Sequence, residues 1–300
     1  MLRFRPFRRA LQIGLAALTL VIAPVAVEAQ TTPAQPALWV VRDADSTLYL
    51  FGTIHFLKPG VQWRTPAIER AFEASDRLLL EVADPQDQAA AGSLIAQYGL
   101  SPDRPLTALL TPEDRQRLIA AATTMGVAPA RIDAMRPWLA GVMLSSAALS
   151  RAGYDPASGV DVALRAQAQA VSKTIGGLET PEDQIRMLSG FPEAGQIAFL
   201  NGAVRDFDAA PVELERLAQV WAAGDMDGVA AVTLAPMKAR SALLYQALIV
   251  DRNQRWADQI TTLLQGSGTT FVAVGALHLA GEDGAPALLA RRGLDVTRIQ

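Results

Sequence analysis

Leu48-Tyr49-Leu50-Phe51-Gly52-Thr53-Ile54-His55 is a β-prone apolar run that ends in Gly-x-x-His. Far downstream, Phe271-Val272-Ala273-Val274-Gly275-Ala276-Leu277-His278 ends in the same way. These are the two histidines of the 300-residue chain. Glycine fills 22 of the 300 positions, so its presence at the same offset before both histidines is improbable by chance. Short apolar runs of this length, bounded by turn residues, read as buried strands. Two matched strand ends from opposite ends of the chain predict one sheet fed from both termini, with one site where the histidines emerge.

Working outward, Leu38-Trp39-Val40-Val41 and the run from Thr47 flank an Asp43-Ala44-Asp45-Ser46 turn, which reads as a hairpin. Residues 63–75 read as a helix, with Thr65 as cap before Pro66 and Ile68 and Phe72 four apart. Arg77-Leu78-Leu79-Leu80-Glu81-Val82 suits a strand covered on both faces, with Glu81 its exception. From 85 to about 170 the composition turns helical. Thr111-Pro112-Glu113-Asp114 opens one helix, and 133–150 and 160–170 read as others. A strand over 173–178 precedes Glu179, and Thr180-Pro181-Glu182 opens a further helix. Residues 192–260 read helical, 265–268 as a turn, 269–275 as a strand, 286–292 as a helix and 294–299 as a last strand. The expected fold is α/β: a mixed, largely parallel sheet built from both ends of one domain over 37–300. A large helical insertion, about 85–170 and 192–260, forms a cap or lid.

The N-terminus reads differently. Arg3, Arg5, Arg8 and Arg9 precede an apolar stretch from Ala10 to Val27, and Val27-Glu28-Ala29 offers a small-residue cleavage site. This order predicts a secretory signal peptide over 1–29, followed by a loose tether over 30–36. An uncleaved anchor is the alternative, which Pro24 and the Ala29 site disfavour. Cleavage would lower the net charge from −3 to about −6, by removing four arginines and Glu28. The mature chain is thus expected in the bacterial periplasm or secreted, with no membrane contact. Clustered positive charge is lacking, so nucleic acid is not an expected partner. The absence of cysteine removes disulfides, thiolate nucleophiles and Cys-based zinc sites.

His55, Glu81, Glu179 and His278 share one expected placement, at or just beyond a strand end. Ligand sites of open α/β sheets lie at the carboxyl ends of strands. Two imidazoles and carboxylates there suit a divalent ion such as manganese, cobalt, zinc or iron. His55, His278 and at least one of the two glutamates are the expected metal ligands, and another glutamate could serve as general base. A buried carboxylate at Glu81 could also be paired with Arg77 or Arg136, and Glu179 could simply cap the following helix. Gly52 and Gly275 would allow close approach of a neighbouring chain or ligand. No Gly-x-Ser-x-Gly elbow, dinucleotide fingerprint or P-loop is present. The tryptophans read as core.

With these residues in view, the chain resembles the TraB/GumN family, related to the Tiki proteases and more distantly to erythromycin esterases and ChaN-like proteins. The resemblance runs through Leu38–Val41, Tyr49–His55, Trp63–Ala67 and Leu78–Ala83, then Gly159-Val160-Asp161 and Gly177–Gln184. It ends with Arg252-Asn253-Gln254-Arg255-Trp256 and Val274–Gly281. It implies an α/β core with a helical insertion, and for the Tiki branch a metal-dependent peptidase activity. It also implies that His55, His278 and Glu81 are the metal positions, with catalytic roles for Glu81, Glu179, Arg252 and Asn253. Arg252 could stabilise an oxyanion, whereas on the residues alone the Arg-Asn pair is a polar helix face. The resulting expectation is an exported metal-dependent hydrolase acting on a peptide or small molecule. The alternatives are a non-catalytic envelope protein binding metal, haem or a small ligand, and a metal-free esterase-like hydrolase.

Overall fold

The computed structural model describes residues 34–84 and 88–300. The expected signal peptide and the start of the tether lie outside these residues. The end of the expected tether is packed, not loose: Ala34 and Pro36 are buried and the Gln35 amide donates to the Ala222 carbonyl.

The sheet has six strands: β1 (Leu38–Arg42), β2 (Ser46–Thr53), β3 (Arg77–Val82), β4 (Thr174–Glu179), β5 (Gly268–Gly275) and β6 (Asp295–Arg298). Their spatial order is β4-β3-β5-β2-β1-β6. β5 pairs in parallel with β2 on one side and β3 on the other, and β4 continues the parallel set beside β3. β1 runs antiparallel to both β2 and β6. The sheet is therefore mixed, largely parallel and fed from both ends of the chain, as the paired Gly-x-x-His runs predicted. Burial explains the order: β5 and the second half of β2 are buried at nearly every position, as central parallel strands require.

Helices cover this sheet. α1 (Pro66–Glu73) starts where Thr65 accepts the Ile68 amide and buries Ile68, Ala71 and Phe72. α2 (Gln88–Tyr98), α3 (Pro112–Thr124), α4 (Pro129–Asp133), α5 (Pro137–Arg151) and α6 (Val160–Ala170) form the first part of the insertion. The helix read over 133–150 is α5 and starts four residues later, with Asp133 ending α4 instead. Pro137 begins it, and Arg136 before it is extended (φ −71°, ψ 154°), as a residue preceding proline tends to be. α7 (Pro181–Ser189) follows β4, then come α8 (Glu193–Arg205) and α9 (Ala210–Ala222). Short turns α10 (Met226–Val229), α11 (Ala235–Arg240) and α12 (Ala242–Tyr245) alternate with π-helical stretches at Ala230–Leu234 and Gln246–Val250. α13 (Asp251–Leu264) leads into β5, and α14 (Ala285–Arg291) precedes β6.

Two hydrophobic cores result. The larger lies on the sheet and includes Phe51, Phe72, Phe271 and Trp256. The second belongs to the helical layer and joins Leu118, Leu144, Leu200 and Phe207. No helix among the described residues is long and apolar enough to cross a membrane.

Candidate functional site

The parallel register of β2 and β5 creates the site. Thr53 stands opposite Gly275, so both chains leave the sheet side by side at their carboxyl ends. His55 follows two residues after β2. His278 sits on a short 3-10 turn, Ala276–Leu279, just after β5. On the other flank of β5, Leu80 pairs with Ala273, which puts Glu81 beside the end of that strand. Glu179 is the last residue of β4. All four residues expected at strand ends are there.

The glycines have a steric reason. A Cβ on Gly275 would stand 3.1 Å from Glu81 Oε1 and 3.5 Å from His55 Nε2. A Cβ on Gly52 would stand 3.1 Å from Ala276 Cα, against the turn that carries His278. A Cβ on Gly159 would overlap the His55 carbonyl, where α6 begins against the backbone after β2.

Glu81 is the hub of the site and is 9% exposed. Its Oε1 accepts the Gly275 amide at 2.7 Å and lies 3.8 Å from His55 Nε2 and 3.9 Å from His278 Nε2. Its Oε2 accepts Arg252 Nη2 at 2.6 Å and Gln184 Nε2 at 3.3 Å. Burial favours its neutral form. The imidazoles of His278 and His55, the Arg252 guanidinium and the Gly275 amide overcome that and hold the carboxyl down to about 2.

Each histidine is held by a side-chain oxygen on Nδ1. Asn253 Oδ1 lies 2.7 Å from His278 Nδ1, and the Asn253 amide nitrogen donates to the Asp283 carbonyl. The oxygen can only accept, so His278 carries its proton on Nδ1 and leaves a lone pair on Nε2. Arg252 Nη1, which can only donate, lies 3.0 Å from that Nε2 and requires the same tautomer. Burial and the Arg252 and His55 charges, against the pull of Glu81, bring His278 down to about 3, so it is neutral. His55 Nδ1 lies 3.1 Å from Asp161 Oδ1 on α6. Desolvation opposes its charged form, but the Asp161 bond and the Glu81 and Asp161 charges win and raise it to about 9. Its side chain is half exposed (51%), so one imidazole is buried and neutral while the other is cationic at the mouth.

Arg252 and Asn253 thus belong to the site, but neither role is the expected one. Arg252 is buried between two carboxylates, with Nε 3.0 Å from Glu179 Oε2 and its guanidinium stacked 4.6 Å from the Trp256 ring centroid. It does not line the cavity beside His55, so the oxyanion role does not follow from its place. Asn253 is fully buried and positions His278. Glu179 accepts from Arg252, Arg255 and Gln184, which occupies the lone pairs a general base would need. Arg77 and Arg136, the partners considered for Glu81, lie elsewhere: Arg77 donates to Thr270, and Arg136 to the Tyr98 and Ser189 carbonyls.

Sequence reading passed over three contributors. Asp161 and Gln184 stood in family phrases with no role assigned, and Trp256 read as core. Trp256 is core, but its ring also lies 4.4 Å from that of His278. The offset of Asp161 within Gly159-Val160-Asp161 was the available signal. The cavity at the strand ends has a volume of about 770 Å³, and Phe56, Val82 and Val162 are among its apolar walls. Thr53 also lines it, and its hydroxyl is buried without a partner among the described residues.

Donor chemistry suits a divalent ion in part. Two ligands on one ion at about 2.0–2.1 Å stand roughly 3–4 Å apart, and Glu81 Oε1 lies near the wide end of that range from the Nε2 of each histidine. Metal-bound histidines also characteristically donate their other N–H to an oxygen, as both do here. Yet no group of three His, Cys, Asp or Glu among the described residues has ready coordination geometry, and Arg252 holds the His278 lone pair.

Comparison with known proteins gives a family and little chemistry. The sequence model described as the TraB/PrgY/gumN family matches residues 37–298. "Uncharacterized protein YbaP" of Escherichia coli K12 is 25% identical over 254 residues, covering 85% of this chain and 92% of the relative. Its counterpart in Shigella flexneri matches to the same extent. No solved structure matches.

Proposed function

The chain belongs to the TraB/PrgY/gumN family, and on that premise we propose that it is an exported metal-dependent hydrolase, peptidase-like in reaction class. One observation carries this reading: the Nε2 atoms of both histidines face the same Glu81 oxygen, while the Nδ1 of each rests on a side-chain oxygen. His55, His278 and Glu81 would hold the ion. When bound, a divalent ion supplies Lewis acidity to the bond being hydrolysed.

The chain's own residues do the rest. Asp161 and Asn253 fix the two imidazoles, and Arg252 keeps Glu81 ionised. Glu81 lines the cavity and Glu179 does not, so of the two glutamates Glu81 is the one beside a bound substrate. A cavity of about 770 Å³ with apolar walls takes a peptide side chain or a small acyl group. The basic, apolar and small-residue order of residues 1–29 supports export to the periplasm.

The test is metal content of the purified full-length protein, wild type beside His55→Ala and His278→Ala, with hydrolysis of a peptide library measured on the same samples. Stoichiometric manganese, cobalt or zinc lost from both variants, together with metal-dependent cleavage, is expected. Negligible metal in all three after reconstitution overturns the reading. A chromophore that purifies with the wild type would instead identify a binding protein.

A further inference from the structure

A second cavity, of about 690 Å³, opens where the two hydrophobic cores meet, away from the strand-end site. Its walls come from α5, α8 and α9 and from residues 232–248, so both π-helical stretches contribute to it. On one side Ala203 and Ala210 pack against the core of the helical layer. On the other, Leu217, Met237 and Leu248 pack against the sheet core. Leu149, Phe199 and Leu214 also line it and are only half-buried. Protein interiors are close-packed, and an apolar cavity of this size falls in the range of small-molecule sites, about 300–1,000 Å³. Single-turn π-helical segments inside helices, like the two that wall it, recur at functional sites.

We propose that this cavity binds an uncharged, lipid-like small molecule: an apolar chain carrying one hydroxyl or carbonyl group. Charge sets the first limit. Arg205 and Arg240 stand against Asp206 and Glu213, and Arg240 is paired with Asp206. The lining charges sum to zero, which offers no net attraction to a headgroup of either sign. Size sets the second. A helix with its side chains is about 10 Å across, so this volume would hold about 9 Å of it, fewer than two turns. That is too little for a docked protein segment and enough for a chain or ring. The hydroxyls of Ser145 on α5 and Thr233 on the first π-helical stretch line the cavity with no partner among the described residues. They supply the few polar contacts that orient an apolar ligand. Because the walls belong to both cores, an occupant ties the helical layer to the sheet and holds it against opening alone.

Fluorescence titration of the full-length protein with N-phenyl-1-naphthylamine, an uncharged apolar probe, tests the site. Wild type should bind it saturably and release it to decan-1-ol more readily than to decanoate or decyltrimethylammonium at equal concentration. Gly202 lines the cavity, and a Cβ added there meets nothing within 4 Å. Gly202→Phe should therefore fill part of the space and weaken binding by about tenfold or more, the equivalent of about two buried methylene groups. Gly92, exposed on α2, has the same open space around its Cβ, and Gly92→Phe should bind as wild type does. Absence of saturable binding, equal binding by Gly202→Phe, or better displacement by either charged chain overturns the proposal. Should Gly202→Phe fail to fold, hydrogen exchange of wild type with saturating decan-1-ol decides. Slower exchange in α5, α8 and α9 supports the site. No slowing there, or slowing confined to β2, β3 and β5, where the alcohol would sit in the strand-end cavity, overturns it.

Discussion

Gly275 shows how a missing side chain can build a polar site. Its amide donates to Glu81 Oε1, and an added Cβ would press on that same buried oxygen at 3.1 Å. Gly275→Ala should therefore destabilise the protein by about 1–3 kcal/mol, the range for disturbing a buried polar group. Gly202→Ala is the control, because nothing lies within 4 Å of its added Cβ in α8. That change should stabilise by about 0.5–1 kcal/mol. Urea unfolding of both variants decides, and equal effects would discard the steric argument. Titration of the metal-free protein belongs to the same scale. His55 is raised to about 9, so its contribution is complete below the unfolded value of about 6.5 and fades as pH climbs through 9. His278 is lowered to about 3, so the unfolded chain takes up its proton first and stability falls as pH drops below about 6.5. Glu81, held down to about 2, adds a loss as pH falls from about 4.3 toward 2. Stability should then peak between pH 6 and 7, the region near the unfolded imidazole value of about 6.5. His55→Gln should flatten the limb between neutral pH and 9 and keep the acid limb. An alkaline limb unchanged in that variant would contradict the assignment.

α7 connects local signals to the distant site. Thr180 accepts the Asp183 amide while Asp183 accepts the Thr180 amide, a reciprocal cap with Pro181 in the first turn. From that start the helix carries Gln184 to both Glu81 and Glu179. Thr180→Ala should cost about 0.5–2 kcal/mol. It should also perturb the His278 imidazole resonances through Glu81; a stability loss with unchanged resonances would show that α7 does not position the site. Such elements were legible because caps, prolines and strand runs act within a few residues of themselves. Thr65, Thr111 and Thr180 each accept the backbone N–H of the residue three places on, and each was readable as a helix start. The π-helical stretches at Ala230–Leu234 and Gln246–Val250 carry no comparable local mark. The strand-end placement of His55, Glu81, Glu179 and His278 was legible for a second reason. β2, β3 and β5 are buried parallel strands and so continuous apolar runs, and the polar residue at the end of each stands out. β4 is largely unburied, and Glu179 was marked by the helix start at Thr180-Pro181 that follows it. The partner of Glu81 was not legible. Arg252 lies 171 residues away, and nothing local distinguishes it from Arg77 or Arg136.

At the scale of the whole molecule, the site depends on one of the two cores. β2, β3 and β5 stand on the sheet core, and α6, which carries Asp161, buries Val160, Leu164 and Ala168 in that same core. The layer built around Leu118, Leu144, Leu200 and Phe207 has a core of its own and supplies none of the groups that touch the histidines. Segments with separate cores can open as separate units, with free energies below that of global unfolding. Leu144 is fully buried in the second core. Leu144→Ala should destabilise the helical layer by about 2–5 kcal/mol through lost burial and the cavity left behind. Hydrogen exchange should then accelerate in α3, α5 and α8, while β2, β5 and α6 keep their protection and both imidazoles keep their resonances. Uniform acceleration across sheet and helices would mean that the cores open together. In that case the helical layer would be part of what holds His55 and His278 in place, and substitutions far from the strand ends would have to be read as changes to the site.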